Sequence, residues 1–213
     1  MSQMIRKRKK SDLTDKKGTV ESLSDKSMKD PKDNKKEIRE KLSLDFIVPE
    51  DIPDEEMFME QVTSFMEEHL RSNLRSEEEK TLTKTMINNY TKNKMMPPPV
   101  KKRYSRKHLI FLIYIYYMKN VMSISDILKL MEPLMKEDIT DDMLYEIYQK
   151  TFEMEKTQYF NIEESVIKAS QITEKKLSDM DDERLKQMLY IFMLGYDVYS
   201  KKRLIEKLID ELD

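Results

Sequence analysis

The sequence predicts an all-α fold, a helical bundle behind a charged and disordered N-terminal tail. Three observations lead there. Nearly every segment after residue 43 repeats apolar residues at i, i+3, i+4 and i+7, the period of a helix with one buried face. Helix-start residues stand ahead of those segments at Thr83, Ser105, Ser123 and Thr140. An unbroken apolar run, Leu109–Met118, is long enough for a buried helix and too short to cross a bilayer. Strand-like alternation is confined to a possible short extended piece at Val100–Tyr104.

Residues 1–43 carry 14 Lys/Arg against 8 Asp/Glu and few large apolar side chains. Such a segment buries too little to offset its ordering entropy, so disorder is expected. Residues 53–70 place Phe58, Val62, Phe65 and Met66 on one side, with Pro53 near the first turn. Residues 71–81 are a polar connection. Thr83 caps the next helix, Leu82 staples onto Ile87, and Pro97-Pro98-Pro99 ends the helix by about Met95. Ser105 caps an apolar helix at 106–120. Ser123 and Asp126 cap the following one, which Pro133 kinks or ends. Thr140 caps a long helix, with Ile139 and Leu144 as its staple. A further helix starts near Ser178–Asp181 and ends near Gly195. Ser200 opens the last, striped by Leu204, Ile205, Leu208, Ile209 and Leu212. This gives three regions: a tail at 1–43, a helical domain at 44–136 and C-terminal helices at 137–213.

Charge is partitioned along the chain, whose formal net charge is −2. Residues 44–80 hold 12 acids and 3 bases, whereas 81–107 hold 8 bases and no acid. On a helix of about 3.6 residues per turn, Thr85, Asn88, Asn89 and Lys92 share one face, opposite Met86, Ile87 and Tyr90. Asparagine can pair with an adenine edge, threonine can touch a thymine methyl, and lysine can reach phosphate or guanine. Lys84 and Lys94 extend the charge of this helix. Lys101, Lys102, Arg103, Tyr104, Arg106 and Lys107 form a second cluster that could clamp the DNA backbone. About six to eight phosphate contacts would make binding fall steeply with salt.

Other chemistry is poorly supplied. There is no cysteine for disulfides or thiolate metal sites, and two glycines leave no Gly-rich phosphate loop. His69 beside Glu67 and Glu68 is read as surface rather than a metal ligand. His108 is read as polar surface. Asp141-Asp142 and Asp181-Asp182 occupy helix first turns, where they complement the dipole. Tyr114, Tyr116 and Tyr117 are read as core with hydroxyls at the edge. Met57, Met59 and Met66 could form a partner-binding face. No nucleophile–base set appears, so neither an enzyme nor a cofactor or metal is expected. The N-terminus has charge without an apolar run, so a cytoplasmic location, without secretion or membrane insertion, is expected. The cluster Arg6–Lys10 could add nonspecific nucleic-acid attraction.

The stretches TMINNYTKNKMMPPP and KKRYSRKHLIFLIYIYYMKNVMSISDILKLM together resemble the recognition helix and following segment of MerR-type helix-turn-helix regulators. An uncharacterised bacterial family with TKTMxNNYxK and PPPxKKxYS elements is closer still. The resemblance implies a winged, MerR-like helix-turn-helix core, with Thr85, Asn88, Asn89 and Lys92 on its recognition helix. Arg103 and Tyr104 fall at the wing-to-helix junction. Asn88 stands where the MerR type usually has arginine, and only Val100, Lys101 and Lys102 separate the prolines from Arg103, which leaves a short wing. The implied function is a double-stranded-DNA-binding transcriptional regulator, nucleoid-associated, with a homodimer formed through the C-terminal helices, the stripe at 201–212 being its best face. Two half-sites would then lie one helical turn apart. The alternative is an all-α module that binds another protein and no nucleic acid.

Overall fold

The computed structural model describes residues 31–212. Its elements run α1 (Pro31–Leu42), β1 (Met57–Phe58), α2 (Met59–Leu70), α3 (Lys84–Lys92), β2 (Arg103–Tyr104), α4 (Arg106–Met118), α5 (Ile124–Met131), α6 (Asp141–Lys176) and α7 (Glu183–Asp210). The fold is all-α, with one ribbon of two short strands. β1 and β2 pair antiparallel, Met57 opposite Tyr104 and Phe58 opposite Arg103.

The core is built around α4, because that helix is apolar on every side and must be covered on every side. All residues from His108 to Tyr116 are buried. Val62, Phe65, Met66 and Leu70 of α2, Ile87 of α3, Ile127 and Met131 of α5, and Leu144 and Tyr148 of α6 are buried in the same core. The first turns of α6 therefore belong to the core of the preceding helices. Met66 is fully buried, and Met57 and Met59 pack against the core, so these methionines fill space rather than forming a partner face. Tyr114 and Tyr116 are buried as well, and the Tyr114 hydroxyl lies 3.2 Å from Thr151 Oγ1. Tyrosine hydroxyls also pin the segment before β1. Tyr148 donates to the Ile47 carbonyl (2.7 Å) and Tyr117 to the Asp45 carbonyl (3.2 Å).

Capping follows the sequence closely. Thr83 Oγ1 accepts from Met86 N–H, Ser123 Oγ from Asp126 N–H, and Thr140 Oγ1 from Met143 N–H, each at 3.2 Å. Asp182 caps α7 by accepting from Leu185 N–H (3.1 Å), slightly later than the expected start. Pro133 ends α5 in a 3₁₀ turn at Glu132–Met135.

Three expectations are corrected. Residues 53–58 are not helical: α2 starts at Met59, because Met57 and Phe58 join the ribbon and Gln61 Oε1 accepts from Phe58 N–H (2.8 Å). Part of the expected disordered tail is helical, since α1 lies against α6 with Arg39 paired to Glu163 at 2.5 Å. Residues 1–30, with the Arg6–Lys10 cluster, lie outside the described residues. Finally, α7 runs unbroken through Gly195 and Ser200. A helical glycine costs only about 1 kcal/mol relative to alanine. Ser200 meanwhile donates back to the Tyr196 carbonyl (2.9 Å) instead of breaking the ladder.

Candidate nucleic-acid interface

α3 is short and amphipathic. Its Ile87 is buried, as is Leu82 ahead of the cap, both in the one core. Met86 and Tyr90 are half-buried, while Lys84, Thr85, Asn88, Asn89 and Lys92 are exposed. Burial pushes the Tyr90 phenol above its ordinary pKa, consistent with its place on the inner face. The polar face thus points outward, as the helical spacing predicts.

The end of α3 is closed by backbone geometry. Lys94 takes a left-handed conformation with φ 58°. Its N–H bonds the Thr91 carbonyl (3.0 Å), and Met95 N–H bonds the Tyr90 carbonyl (2.9 Å). This pair of bonds is the Schellman arrangement, in which glycine usually takes the left-handed position. Met95 is buried just beyond it.

The short wing is a two-residue hairpin. Val100 and Arg103 exchange both backbone bonds, at 3.2 and 2.8 Å. Lys101 and Lys102 form its tip with φ 49° and 64°. Two positive φ values in succession are the signature of a type I′ turn, whose usual residues are Asn-Gly. Both lysines are exposed. Lys94, Lys101 and Lys102 are the only non-glycine residues with positive φ among the described residues. The hairpin base and α3 both rest on α2.

The expected basic clamp divides here. Arg103 stacks its guanidinium over the Phe58 ring, 3.7 Å from the centroid. Arg106 pairs with Asp54 and lies over the Tyr145 ring at 4.3 Å. Lys107 donates to the Ile139 carbonyl (3.1 Å) near Asp141. Tyr104 is buried against His108, and burial raises its phenol pKa. These four residues join the ribbon and α4 to the rest of the fold, so they do not form an exposed clamp. Lys84 is exposed but pairs with Glu60, whose carboxyl is held below its ordinary pKa by that hydrogen bond. Lys92, Lys94, Lys101 and Lys102 make no ion pair among the described residues.

His108 is a wedge beneath the hairpin rather than surface. Its Nδ1 accepts from Ser105 N–H (3.0 Å), and Nε2–H faces the Pro98 carbonyl (3.2 Å). Burial lowers its pKa, opposed by the Pro98 bond. His69 spends its Nδ1 on the Phe65 carbonyl at 2.9 Å. The residues that sequence reasoning passes over are Asp54, Phe58 and Glu60. They lie more than 20 positions before the cations they hold, and only the β1–β2 pairing and α2–α3 packing bring them close.

Residues 47–152 match the model of a family described as a domain of unknown function, DUF1836. The match supports an uncharacterised domain family over this part of the chain. The match opens at Ile47, whose carbonyl Tyr148 holds, and closes one third of the way along α6, so it spans the α4-centred core and the whole basic island at residues 81–107. α7 lies outside it. No curated protein and no solved structure matches the chain.

Proposed function

We propose that this chain is a DNA-binding transcriptional regulator of MerR-like type, acting in the cytoplasm on the bacterial nucleoid. In this reading α2, α3 and the hairpin form the helix-turn-helix core and its short wing. Lys92, Lys94, Lys101 and Lys102 contact phosphate. Thr85, Asn88 and Asn89 face the base edges of the major groove, where amides and hydroxyls can discriminate base pairs.

The observation that carries the reading is the identity of the three left-handed residues. A residue with a Cβ loses roughly 1–2 kcal/mol in that conformation, and glycine or asparagine would make both turns more cheaply. Lysine stands at all three positions, and all three are exposed. Strain kept at exposed positions with one side chain in common points to a use for that side chain. The order of parts supports the same reading: a strand ahead of α2 pairs with the strand that follows the hairpin.

Binding of a generic duplex, measured against salt, tests the proposal. With four phosphate contacts per protomer the logarithm of affinity should fall with a slope of about −4 against the logarithm of salt concentration. Lys101→Glu/Lys102→Glu should reduce both the affinity and the slope while circular dichroism stays unchanged. Absence of binding at low salt, or an unaffected variant, would defeat the reading. The second reading, a protein-binding module that never touches nucleic acid, is favoured by the exposed apolar residues of α7 and predicts no such salt dependence.

A further inference from the structure

The middle of α7 is exposed all round. Every residue from Gly195 to Leu204 is exposed, and Tyr196, Val198 and Tyr199 are 60–72% accessible. One turn earlier, Ile191 and Phe192 are 58% and 63% accessible. The 28-residue helix contacts α6 and α5, yet in its exposed middle Ile191, Phe192, Tyr196, Val198 and Tyr199 stand bare ahead of the polar run Ser200–Arg203.

We infer that this surface is covered by α7 of a second copy of the chain, packed antiparallel, with the two helices crossing at Gly195. Phasing α7 at about 100° per residue places Arg184, Met188, Ile191, Gly195, Tyr199, Lys202 and Glu206 along one stripe. In an antiparallel pair centred on Gly195, a residue a given number of positions before it meets the one the same number after it in the other copy. Ile191 then meets Tyr199, Met188 meets the stem of Lys202, and Arg184 meets Glu206. Each contact occurs twice, as a two-fold interface requires. Glu206, bonded to Arg203 within its own chain at 2.7 Å, can accept a second cation. An apolar centre with opposite charges at its two ends matches a second copy of itself in the antiparallel sense; a parallel pair would set like charges side by side.

Gly195 sits where the helices approach most closely. A Cβ added there meets nothing within 4 Å in the single chain, so its own fold does not require glycine at this position. A helix crossing does, because the missing side chain lets two backbones come together. The area is sufficient. At about 150–250 Å² for a whole aromatic side chain, Phe192, Tyr196 and Tyr199 with Met188, Ile191 and Val198 present roughly 600–700 Å² per copy. Complete cover of these side chains would bury about 1,200–1,400 Å² in two copies, the lower end of the range of stable interfaces, with Tyr196 at the rim about 100° from the stripe. This pairing shifts the centre of the expected dimer face from 201–212 to Gly195; within 201–212 Leu204, Leu208 and Leu212 are exposed and Ile209 is buried within its own chain. It does not depend on nucleic-acid binding.

The test uses the full chain without DNA. Sedimentation equilibrium should give twice the chain mass at tens of micromolar. The absence of cysteine allows single-site cross-linking. Gly195→Cys should form a disulfide-linked dimer under mild oxidation, whereas Ser200→Cys, exposed on nearly the opposite side of α7, should not. Arg184→Glu should weaken association at least tenfold, and Arg184→Glu/Glu206→Arg should restore it. A monomer at these concentrations overturns the inference. So does equal cross-linking at the two cysteine positions.

Discussion

Lys101 and Lys102 show how a residue type can be explained by what it forgoes. Replacing them by Asn and Gly, the residues a type I′ turn favours, should raise stability by about 1 kcal/mol or more. The same change removes two ammonium groups from the hairpin tip. Thermal denaturation and duplex titration should therefore move in opposite directions, stability up and affinity down. If affinity is unchanged, the strained lysines have another explanation. His108 makes a second prediction at this scale. Burial lowers its pKa in the folded chain, so the unfolded chain binds more protons in the window below the free imidazole value of about 6.5. The contribution of a neutral His108 is then present above that value and is lost as pH falls toward the folded pKa. Denaturant midpoints should decline from pH 7 to pH 5, and His108→Gln should flatten that decline.

α3 owes little to burial, since Ile87 is its one buried residue. It depends on its ends: the Thr83 cap at the start and the left-handed Lys94 at the finish. Thr83→Ala should cost about 1 kcal/mol. The loss should appear first as faster amide exchange in α3, ahead of any change in α4, which is buried from His108 to Tyr116. Asn88→Ala leaves both ends intact and touches only the outer face. It should change which duplex sequences are preferred with little effect on the salt slope; a uniform loss across sequences would argue against base contact. The basic cluster after the prolines belongs to another element. Arg103 on Phe58 and Arg106 between Asp54 and Tyr145 fasten the ribbon to α2 and α6. Charge reversal at either should lower stability before it lowers affinity.

At the scale of the molecule, the α4-centred core supports the exposed face of α3, and the α6–α7 hairpin extends away from it. α6 alone spans about 54 Å at the usual rise per residue. Two copies joined at Gly195 would bring two basic islands onto one assembly. With eight phosphate contacts in place of four, the salt slope of DNA binding should then approach about −7. Arg184→Glu should return it toward −4 without touching any island residue. Measuring that slope in both forms separates the two proposals, since dimerisation can hold where DNA binding fails and the reverse.

The helices and many of their starts are legible in local sequence. Thr83, Ser123 and Thr140 are caps because a side-chain oxygen beside a helical period can satisfy only local donors. α4 is central because a run such as LIFLIYIYYM leaves no side for water. The outer face of α3 was legible for the same reason, since spacing fixes phase. Tertiary structure decided which charges remain free. Whether Lys84 or Arg106 meets phosphate depends on Glu60 and Asp54, which are remote in sequence and close only after α2 packs. It also decided that Tyr104 and His108 are interior, that α1 is helical against α6, and that Gly195 lies within a helix. Each of these turns on a neighbour that local periodicity does not carry.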